Sequence, residues 1–224
     1  VLNEYIVLNQ SDYYIPEALE NSKVVSQNLH ALSAINYLVV TTSELASQAQ
    51  RLADYHQKNS GLETKVVLLD AIYNEFSSGS KDITGIRDFI KHVYDKNTSV
   101  EKKLKYVCFF GDASFDYKDR IVGNNNIVPV KLSEDSFNLA TSYVTDDFFV
   151  MLDNEEGTMS VSHTLDVVSS RVPVTGISQA KDVVDKILSY YADSSLGDWR
   201  NTITLLADDI DDDYDIPIQS SVEN

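Results

Sequence analysis

The chain has 224 residues, of which 43% are hydrophobic and four are proline, so it is long enough to bury one sizeable core. Its 18 Lys and Arg against 35 Asp and Glu give a formal net charge of -17, which repels nucleic acid and anionic lipid and argues against a nucleic-acid partner. No stretch approaches the roughly 18 uninterrupted apolar residues of a transmembrane helix, and the single cysteine, Cys108, excludes an internal disulfide and a multi-thiolate metal site.

The first segment, residues 1–35, shows no repeating α/β period and is predicted to be a lead-in, a strand and connector from a preceding domain. It contains short apolar runs at residues 5–8 and 13–16. From Asn36 the pattern changes, because residues 37–40 form a continuous apolar run. Such a run is typical of a strand buried on both faces of a parallel sheet.

A first helix is predicted after this strand. Thr41 and Glu44 have the spacing of a capping box, and Gly61 is placed to end the helix. The buried face recurs at helical spacing, and its members are Leu45, Ala49, Leu52, Ala53 and His56. His56 is therefore predicted to be a partly buried packing residue.

The strand-and-helix unit repeats along the chain. Residues 65–69 and 106–110 predict two further strands, and the apolar run around Cys108 predicts that this thiol packs as a small hydrophobe. A second helix face is traced by Ile83, Ile86, Ile90, Val93 and Tyr94, and a third by Ala180, Val183, Val184, Ile187, Leu188 and Tyr191. A last strand is predicted at residues 203–206. Alternating strands and helices predict an α/β fold with a mostly parallel sheet and helices on both faces.

Acidic residues follow several of the predicted strands, where ligands bind in open α/β sheets. Asp112 follows the third strand, Asp146 and Asp147 lie in the segment after a loop of about thirty residues, and Asp208 and Asp209 follow the last strand. Carboxylates at such positions bind a hard cation, orient a basic substrate group or cap the next helix, and the sequence leaves these alternatives open.

Residues 153–157, Asp-Asn-Glu-Glu-Gly, resemble a short calcium loop without the EF-hand layout, and residues 208–215 are a second acidic run. That run is either a chelating segment or a solvated loop. Phosphate cradles of the Gly-x-Gly-x-x-Gly or Walker type, an HExxH motif and a Gly-x-Ser-x-Gly elbow are all missing from the sequence. Nothing within these residues assembles a nucleophile with a base.

Five landmarks taken together resemble the gingipain family of cysteine peptidases. They are residues 37–41 (YLVVT), 108–112 (CFFGD), 142–149 (SYVTDDFF), 170–174 (SRVPV) and 199–209 (WRNTITLLADD), in the family's order. Residues 27–32 (QNLHAL) further resemble the sortase branch of the family, which serves the type IX secretion system of Bacteroidetes.

The resemblance implies a caspase-like fold of two subdomains, in which the catalytic histidine and cysteine belong to the second. Residues 36–224 are then expected to be the first subdomain, truncated before the catalytic one, and Cys108 is not expected to be the nucleophile. The resemblance also implies a calcium ion held by Asp112, by Asp153 or Glu155, and by Asp166. It places Asp208 and Asp209 at the border of the substrate cleft.

The expected function is that of an exported, outer membrane-associated cysteine endopeptidase or sortase at the cell surface. Its expected partners are protein substrates with C-terminal sorting signals and other components of the type IX system. Its expected chemistry is acyl transfer through a thioester. The alternative is a catalytically inactive, calcium-dependent binding module of the same fold.

Overall fold

A computed structural model describes residues 6–15, 26–97, 99–118, 120–134, 137–138, 141–160 and 162–204. Six strands lie in these ranges: β1 (Tyr37–Thr41), β2 (Thr64–Leu68), β3 (Tyr106–Phe110), β4 (Lys131–Leu132), β5 (Val144–Thr145) and β6 (Val168–Val172). Four α-helices accompany them: α1 (Ala46–Ser60), α2 (Leu69–Phe76), α3 (Ile83–Asp95) and α4 (Ile177–Tyr190). The α/β class predicted from the sequence is confirmed.

The main sheet of the described residues has the strand order β2-β1-β3-β6, and all its pairings are parallel. Tyr37 lies opposite both Thr64 and Tyr106, and Tyr106 lies opposite Val168, so the carboxyl ends of the strands share one edge. β4 and β5 form a separate, short antiparallel pair. Both central strands carry continuous apolar runs because the sheet is covered on both faces.

Two hydrophobic cores lie on opposite faces of this sheet. Leu38, Val40 and Phe109 belong to the first core, with the buried residues of α2 and α3. Val39 and Cys108 belong to the second core, with the buried residues of α1 and α4. The alternation along β1 and β3 therefore places successive residues in different cores, as the prediction of helices on both faces requires.

The start of α1 differs from the prediction. The helix begins at Ala46 after Leu45, with no side-chain cap, so the predicted capping box of Thr41 and Glu44 is wrong. Thr41 is the last residue of β1, and its buried hydroxyl donates to the carbonyl oxygen of Phe110 at 2.7 Å. The end was predicted correctly, since Gly61 adopts the left-handed conformation at φ +64°.

The ends of the chain were predicted to contribute strands. Ile6, Val7 and Leu8 are exposed and form no strand in the described part of the lead-in. Ile203 and Thr204, the first residues of the predicted last strand, are exposed without strand pairing, and the other two lie outside the described residues. None of the helices in the described ranges has the length and apolarity to span a bilayer.

Part of the lead-in is bound to α2 through the carboxylate of Glu75. Its oxygens accept hydrogen bonds from Gln27 Nε2 at 2.8 Å, from the Leu29 amide at 2.8 Å, and from the ring and amide of His30 at 2.8 and 3.3 Å. Leu29 is buried in the first core. Residues 27–31 therefore pack as part of the α/β unit.

Candidate functional site at the carboxyl edge of the sheet

The turn that follows β3 is built around a glycine. Gly111 has φ +149°, and a Cβ placed on it would lie 2.7 Å from Val128 Cγ2 and 2.8 Å from Ile127 Cγ2. The carbonyl oxygen of Asp112 accepts the amides of Ile127 and Val128, both at 3.0 Å. The long loop after β3 thus returns to its own start, and only glycine fits the contact point.

A partly buried arginine fixes this loop to the end of β6. Arg171 donates from Nε and Nη2 to the two carboxylate oxygens of Asp146, at 2.8 and 2.6 Å. The same guanidinium donates to the carbonyl oxygens of Gly111, Val128 and Pro129, at 2.9, 2.7 and 3.2 Å. The side chains of Arg171 and Asp146 are 15% and 17% exposed, so this ion pair is largely shielded from water. We call this arrangement the Arg171 clamp.

The sequence left open whether Asp146 binds a cation, orients a basic substrate group or caps the next helix, and the clamp shows which group it pairs with. Its carboxylate pairs with Arg171 and makes no cap to the short 3-10 helix at Asp147–Phe149. A planar guanidinium is suited to such bidentate binding of a carboxylate together with neighbouring carbonyl groups. Sequence analysis singled out both segments but missed the pairing, because nothing in residues 146 and 171 alone identifies them as partners.

The first part of the long loop is organised by Asp116, a residue that sequence analysis did not single out. Asp116 is 8% exposed, and its Oδ2 accepts the amides of Arg120 and Ile121, both at 2.6 Å. Asn124 Nδ2 donates to the Asp116 carbonyl oxygen at 2.7 Å. The concentration of Asp, Asn and Ser in this loop was the available signal, since these side chains commonly bond nearby backbone groups.

Two residues predicted to hold calcium have protein partners. Asp112 Oδ1 accepts the amide of Ala113 at 2.9 Å. Asp166 accepts the Leu152 amide on Oδ2 at 2.7 Å and the Tyr94 hydroxyl on Oδ1 at 3.3 Å. Asp166 therefore positions the segment before the calcium-like loop.

In the calcium-like loop itself, the buried carboxylate belongs to Glu156. Glu156 Oε2 accepts the Asp153 amide at 2.9 Å, and Oε1 accepts the Thr164 amide at 3.4 Å. Glu155 is exposed, with φ +73°. The glutamate that matters for loop structure is thus the one that the sequence did not favour as a ligand.

Calcium requires several oxygen ligands around one point. Among the described residues, no group of three or more His, Cys, Asp or Glu side chains could hold a metal ion. Asp112, Asp153, Glu155 and Asp166 therefore do not fit a shared calcium ion in this arrangement. Calcium binding by these residues stays a prediction, and no chemical step is derived from it. Asp208 and Asp209, predicted at the border of the substrate cleft, lie outside the described residues.

Cys108 packs as the sequence predicted. It is 1% exposed, and its thiol hydrogen-bonds to the side chains of Tyr37 and Ser170. Burial raises the pKa of Cys108, against the smaller lowering effect of those hydrogen bonds. Among the described residues, no histidine is one of the groups that shift the pKa of Cys108. A buried, protonated thiol without an imidazole partner is a poor nucleophile.

His56 is also a packing residue. It is half-buried, its ring meets the Tyr37 ring edge to face at a centroid distance of 5.1 Å, and burial lowers its pKa. Its Nδ1 lies 3.3 Å from Ser60 Oγ, one helical turn away. This contact is a local one along α1, and the described residues supply no third group to orient the ring for catalysis.

Comparison with known proteins identifies relatives of this arrangement. The model of peptidase family C25 matches residues 30–224. The crystal structure of dimeric latent PorU from Porphyromonas gingivalis aligns with a TM-score of 0.65 and 30% sequence identity, over 80% of this chain and 18% of that chain. The complex of the pro- and mature domains of RgpB from the same organism aligns with a TM-score of 0.49 and 17% identity, over 69% of this chain and 29% of that chain. No match was found among curated protein sequences.

These matches confirm the resemblance to gingipain-type peptidases and, among them, to PorU. The family match covers α1 to α4 and begins within the 3-10 turn at Leu29–Ala31. The chain spans 18% of the length of the PorU chain.

Proposed function

The chain belongs to peptidase family C25, and we propose that it is the first, non-catalytic subdomain of a cysteine peptidase of the sortase type. In this proposal the catalytic histidine and cysteine are supplied by sequence outside residues 1–224. The observation that carries the finer part of the proposal is the 30% identity to PorU across 80% of this chain.

The environment of Cys108 supports the placement of the nucleophile elsewhere. A catalytic thiol needs access to substrate and a base that makes it a thiolate. Cys108 has neither, since it is buried between Tyr37 and Ser170 in the core on the α1 and α4 side. Its contribution to the protein is packing.

The proposed chemistry is acyl transfer. A thiolate, formed by proton transfer to an imidazole, attacks the carbonyl carbon of a peptide bond, and the amine of that bond leaves with the proton. The resulting thioester is then opened by water, which gives hydrolysis, or by the amine of an acceptor, which gives a new amide. A sortase follows the second route.

The role of this chain in that reaction is to position the backbone at the carboxyl edge of the sheet. The Arg171 clamp and the Gly111 turn hold the backbone at the carboxyl edge of the sheet, where parallel α/β folds place their ligands. Substrates with C-terminal sorting signals, partners from the type IX secretion system, and a location at the outer membrane and cell surface complete the proposal.

The test compares two proteins, the 224-residue chain and the chain extended along its gene. Both are incubated with a peptide that carries a C-terminal sorting signal, with and without an added amine acceptor, and the products are identified by mass spectrometry. We expect the 224-residue chain to be inert and the extended protein to release the signal, with an acceptor-dependent product that has gained the mass of the amine.

The cysteine supplies the control. Cys108→Ser in the extended protein is expected to leave the rate unchanged. Loss of activity in this variant, with an unchanged melting temperature, would overturn the placement of the nucleophile. Release of the signal without an amine adduct would show that the extended protein is a hydrolytic peptidase and not a sortase. An extended protein that binds the peptide but never cleaves it would favour the binding-module alternative.

A further inference from the structure

Two cationic side chains of α3 lie over the segment that leads into the calcium-like loop. Arg87 donates from Nε and Nη2 to the carbonyl oxygen of Met151, at 3.0 and 2.5 Å, and from Nη2 to the carbonyl oxygen of Asp153 at 3.4 Å. Lys91 Nζ donates to the carbonyl oxygen of Leu152 at 2.6 Å. Three successive carbonyl groups therefore accept hydrogen bonds from two positively charged side chains.

The packing of α3 places these cations. Arg87 and Lys91 are one helical turn apart, so they share a face of the helix. Their neighbours Ile86 and Ile90 are buried in the first core, and Leu152 is buried in the same core. The segment is therefore packed against α3, with its carbonyl groups towards the two side chains.

The amides of the same segment are bound by carboxylates. The Leu152 amide donates to Asp166 Oδ2 at 2.7 Å, and the Asp153 amide donates to Glu156 Oε2 at 2.9 Å. Glu156 is only 7% exposed. Residues 151–153 thus have cations on their carbonyl groups and carboxylates on their amides, and hydrogen bonds to charged groups are the stronger kind.

A calcium ion would fix such a loop through some of the same atoms. It binds about six to eight oxygen atoms, which include backbone carbonyl groups and carboxylates. Here the carbonyl oxygens of residues 151–153 already accept from Arg87 and Lys91. A divalent cation among them would have to displace both side chains and would be repelled by their charges. The misfit to calcium therefore extends from the carboxylates to the backbone.

We propose that Arg87 and Lys91 take the place of a calcium ion in this loop, so that residues 150–158 keep their structure without metal. The positive charge comes from α3 and is in position whenever the helix packs on the sheet. The order of the loop is then independent of calcium concentration, whereas a loop that is ordered by a bound ion depends on it. The proposal goes beyond the proposed function and does not depend on catalysis.

The test is hydrogen exchange at residues 150–158, followed by mass spectrometry in millimolar calcium, in millimolar magnesium and in chelator. An ion that binds only the ordered loop slows exchange there, by up to about a hundredfold at a hundredfold excess over its Kd. We expect the three exchange rates to agree within about twofold.

Two variants test the role of the cations. Arg87→Met and Lys91→Met remove the donors and the charge but keep much of the apolar stem. Each is expected to speed exchange at residues 150–158 about tenfold, because a hydrogen bond from a charged donor is lost. The matched control is Lys186→Met, the same change at an exposed position of α4 on the other face of the sheet. It is expected to leave exchange at these residues unchanged.

Slower exchange at residues 150–158 in calcium than in both magnesium and chelator would overturn the proposal. So would unchanged exchange in both Arg87→Met and Lys91→Met, because the cations would then not hold the loop. Calcium protection at other residues, with none at 150–158, would support the proposal and place the ion elsewhere. The calcium comparison uses the parent chain, so it decides the question even if a variant fails to fold. None of these results affects the family membership or the catalytic test.

Discussion

Glu75 shows how one carboxylate joins segments that are far apart in sequence. Partial desolvation raises the pKa of Glu75, but hydrogen bonds from Leu29, Gln27 and His30 lower it by more than this. The resulting pKa is about 2. The usual value in an unfolded chain is about 4.3. Because the pKa is lower in the folded state, Glu75 stabilises the fold above about pH 5, and this contribution is lost as the pH falls towards 2.

Glu75→Gln removes the charge but keeps the shape of the side chain. We expect it to lower the free energy of unfolding by roughly 1–2 kcal/mol at pH 7, because the hydrogen bonds to a charged acceptor are weakened. The difference from the parent chain should shrink at pH 3, and urea unfolding at both pH values measures it. Glu44→Gln, at an exposed site, is the control. A difference of the same size at both pH values would contradict this account.

Gly111 is the residue on which the return of the long loop depends. Gly111→Ala is expected to lower the free energy of unfolding by about 3 kcal/mol, since the new methyl group meets Val128 and Ile127 and the backbone is strained. Gly123→Ala separates the two effects, because Gly123 has φ +79° but open space around it. It should cost about 1 kcal/mol. Equal losses in thermal unfolding would show that the contact with the loop does not matter.

At the scale of elements, the Arg171 clamp joins β3, β6 and the loop between them. Arg171→Lys keeps the charge but loses the planar fork, so bonds to Asp146 and to the three carbonyl groups cannot all be made. We expect the free energy of unfolding to fall by about 3 kcal/mol. Limited proteolysis should also cut within residues 113–145 more rapidly.

An exposed ion pair provides the matched control for the clamp. Arg51 Nη2 lies 2.5 Å from Asp185 Oδ1 between α1 and α4, with side chains 40% and 42% exposed. Arg51→Lys should cost less than about 1 kcal/mol, because water screens such pairs. If both lysine variants lose the same stability, the carbonyl contacts of Arg171 contribute little.

The strands β1 and β3 and the helices α1, α3 and α4 were predictable because their apolar periods match their burial on both faces of the sheet. Helix α2 was missed. Leu69 continues the apolar run of β2, yet it is the first residue of α2, and Leu68 caps the helix without any side-chain hydrogen bond. No glycine, proline or capping residue separates the strand from the helix, so the boundary has no local signal.

The candidate site was predictable only as a location. Acidic residues at strand ends pointed to the carboxyl edge, and in the structure Asp112 follows β3 while Asp146 pairs with Arg171 of β6. The partner of Asp146 lies 25 residues away in sequence, on β6. Asp116 and Glu156 are buried and accept hydrogen bonds from the protein backbone. The sequence does not identify such carboxylates, because their burial arises only when distant segments pack.

At the scale of the whole molecule, the packing of the lead-in determines where the folding unit begins. The sequence predicts a lead-in over residues 1–35, and this division stays a prediction. Leu29 and Ile35 are buried in the first core. In contrast, Val7 and Tyr14 are 95% and 100% exposed. The packing contacts therefore suggest a folding unit that begins near Gln27, where the bonds to Glu75 begin.

Two truncated chains test this boundary. Removal of residues 1–26 deletes none of the contacts to Glu75 from Gln27, Leu29 and His30, so the share of the free energy of unfolding that these contacts provide should be retained. Removal of residues 1–32 exposes the pocket that Leu29 fills and leaves Glu75 without its donors, which should cost about 3 kcal/mol. Urea unfolding of both chains measures the difference. If the chain that lacks residues 1–32 is as stable as the chain that lacks residues 1–26, the folding unit begins at Asn36, as the change of pattern in the sequence predicts. The bonds to Glu75 would then hold a separable segment in place.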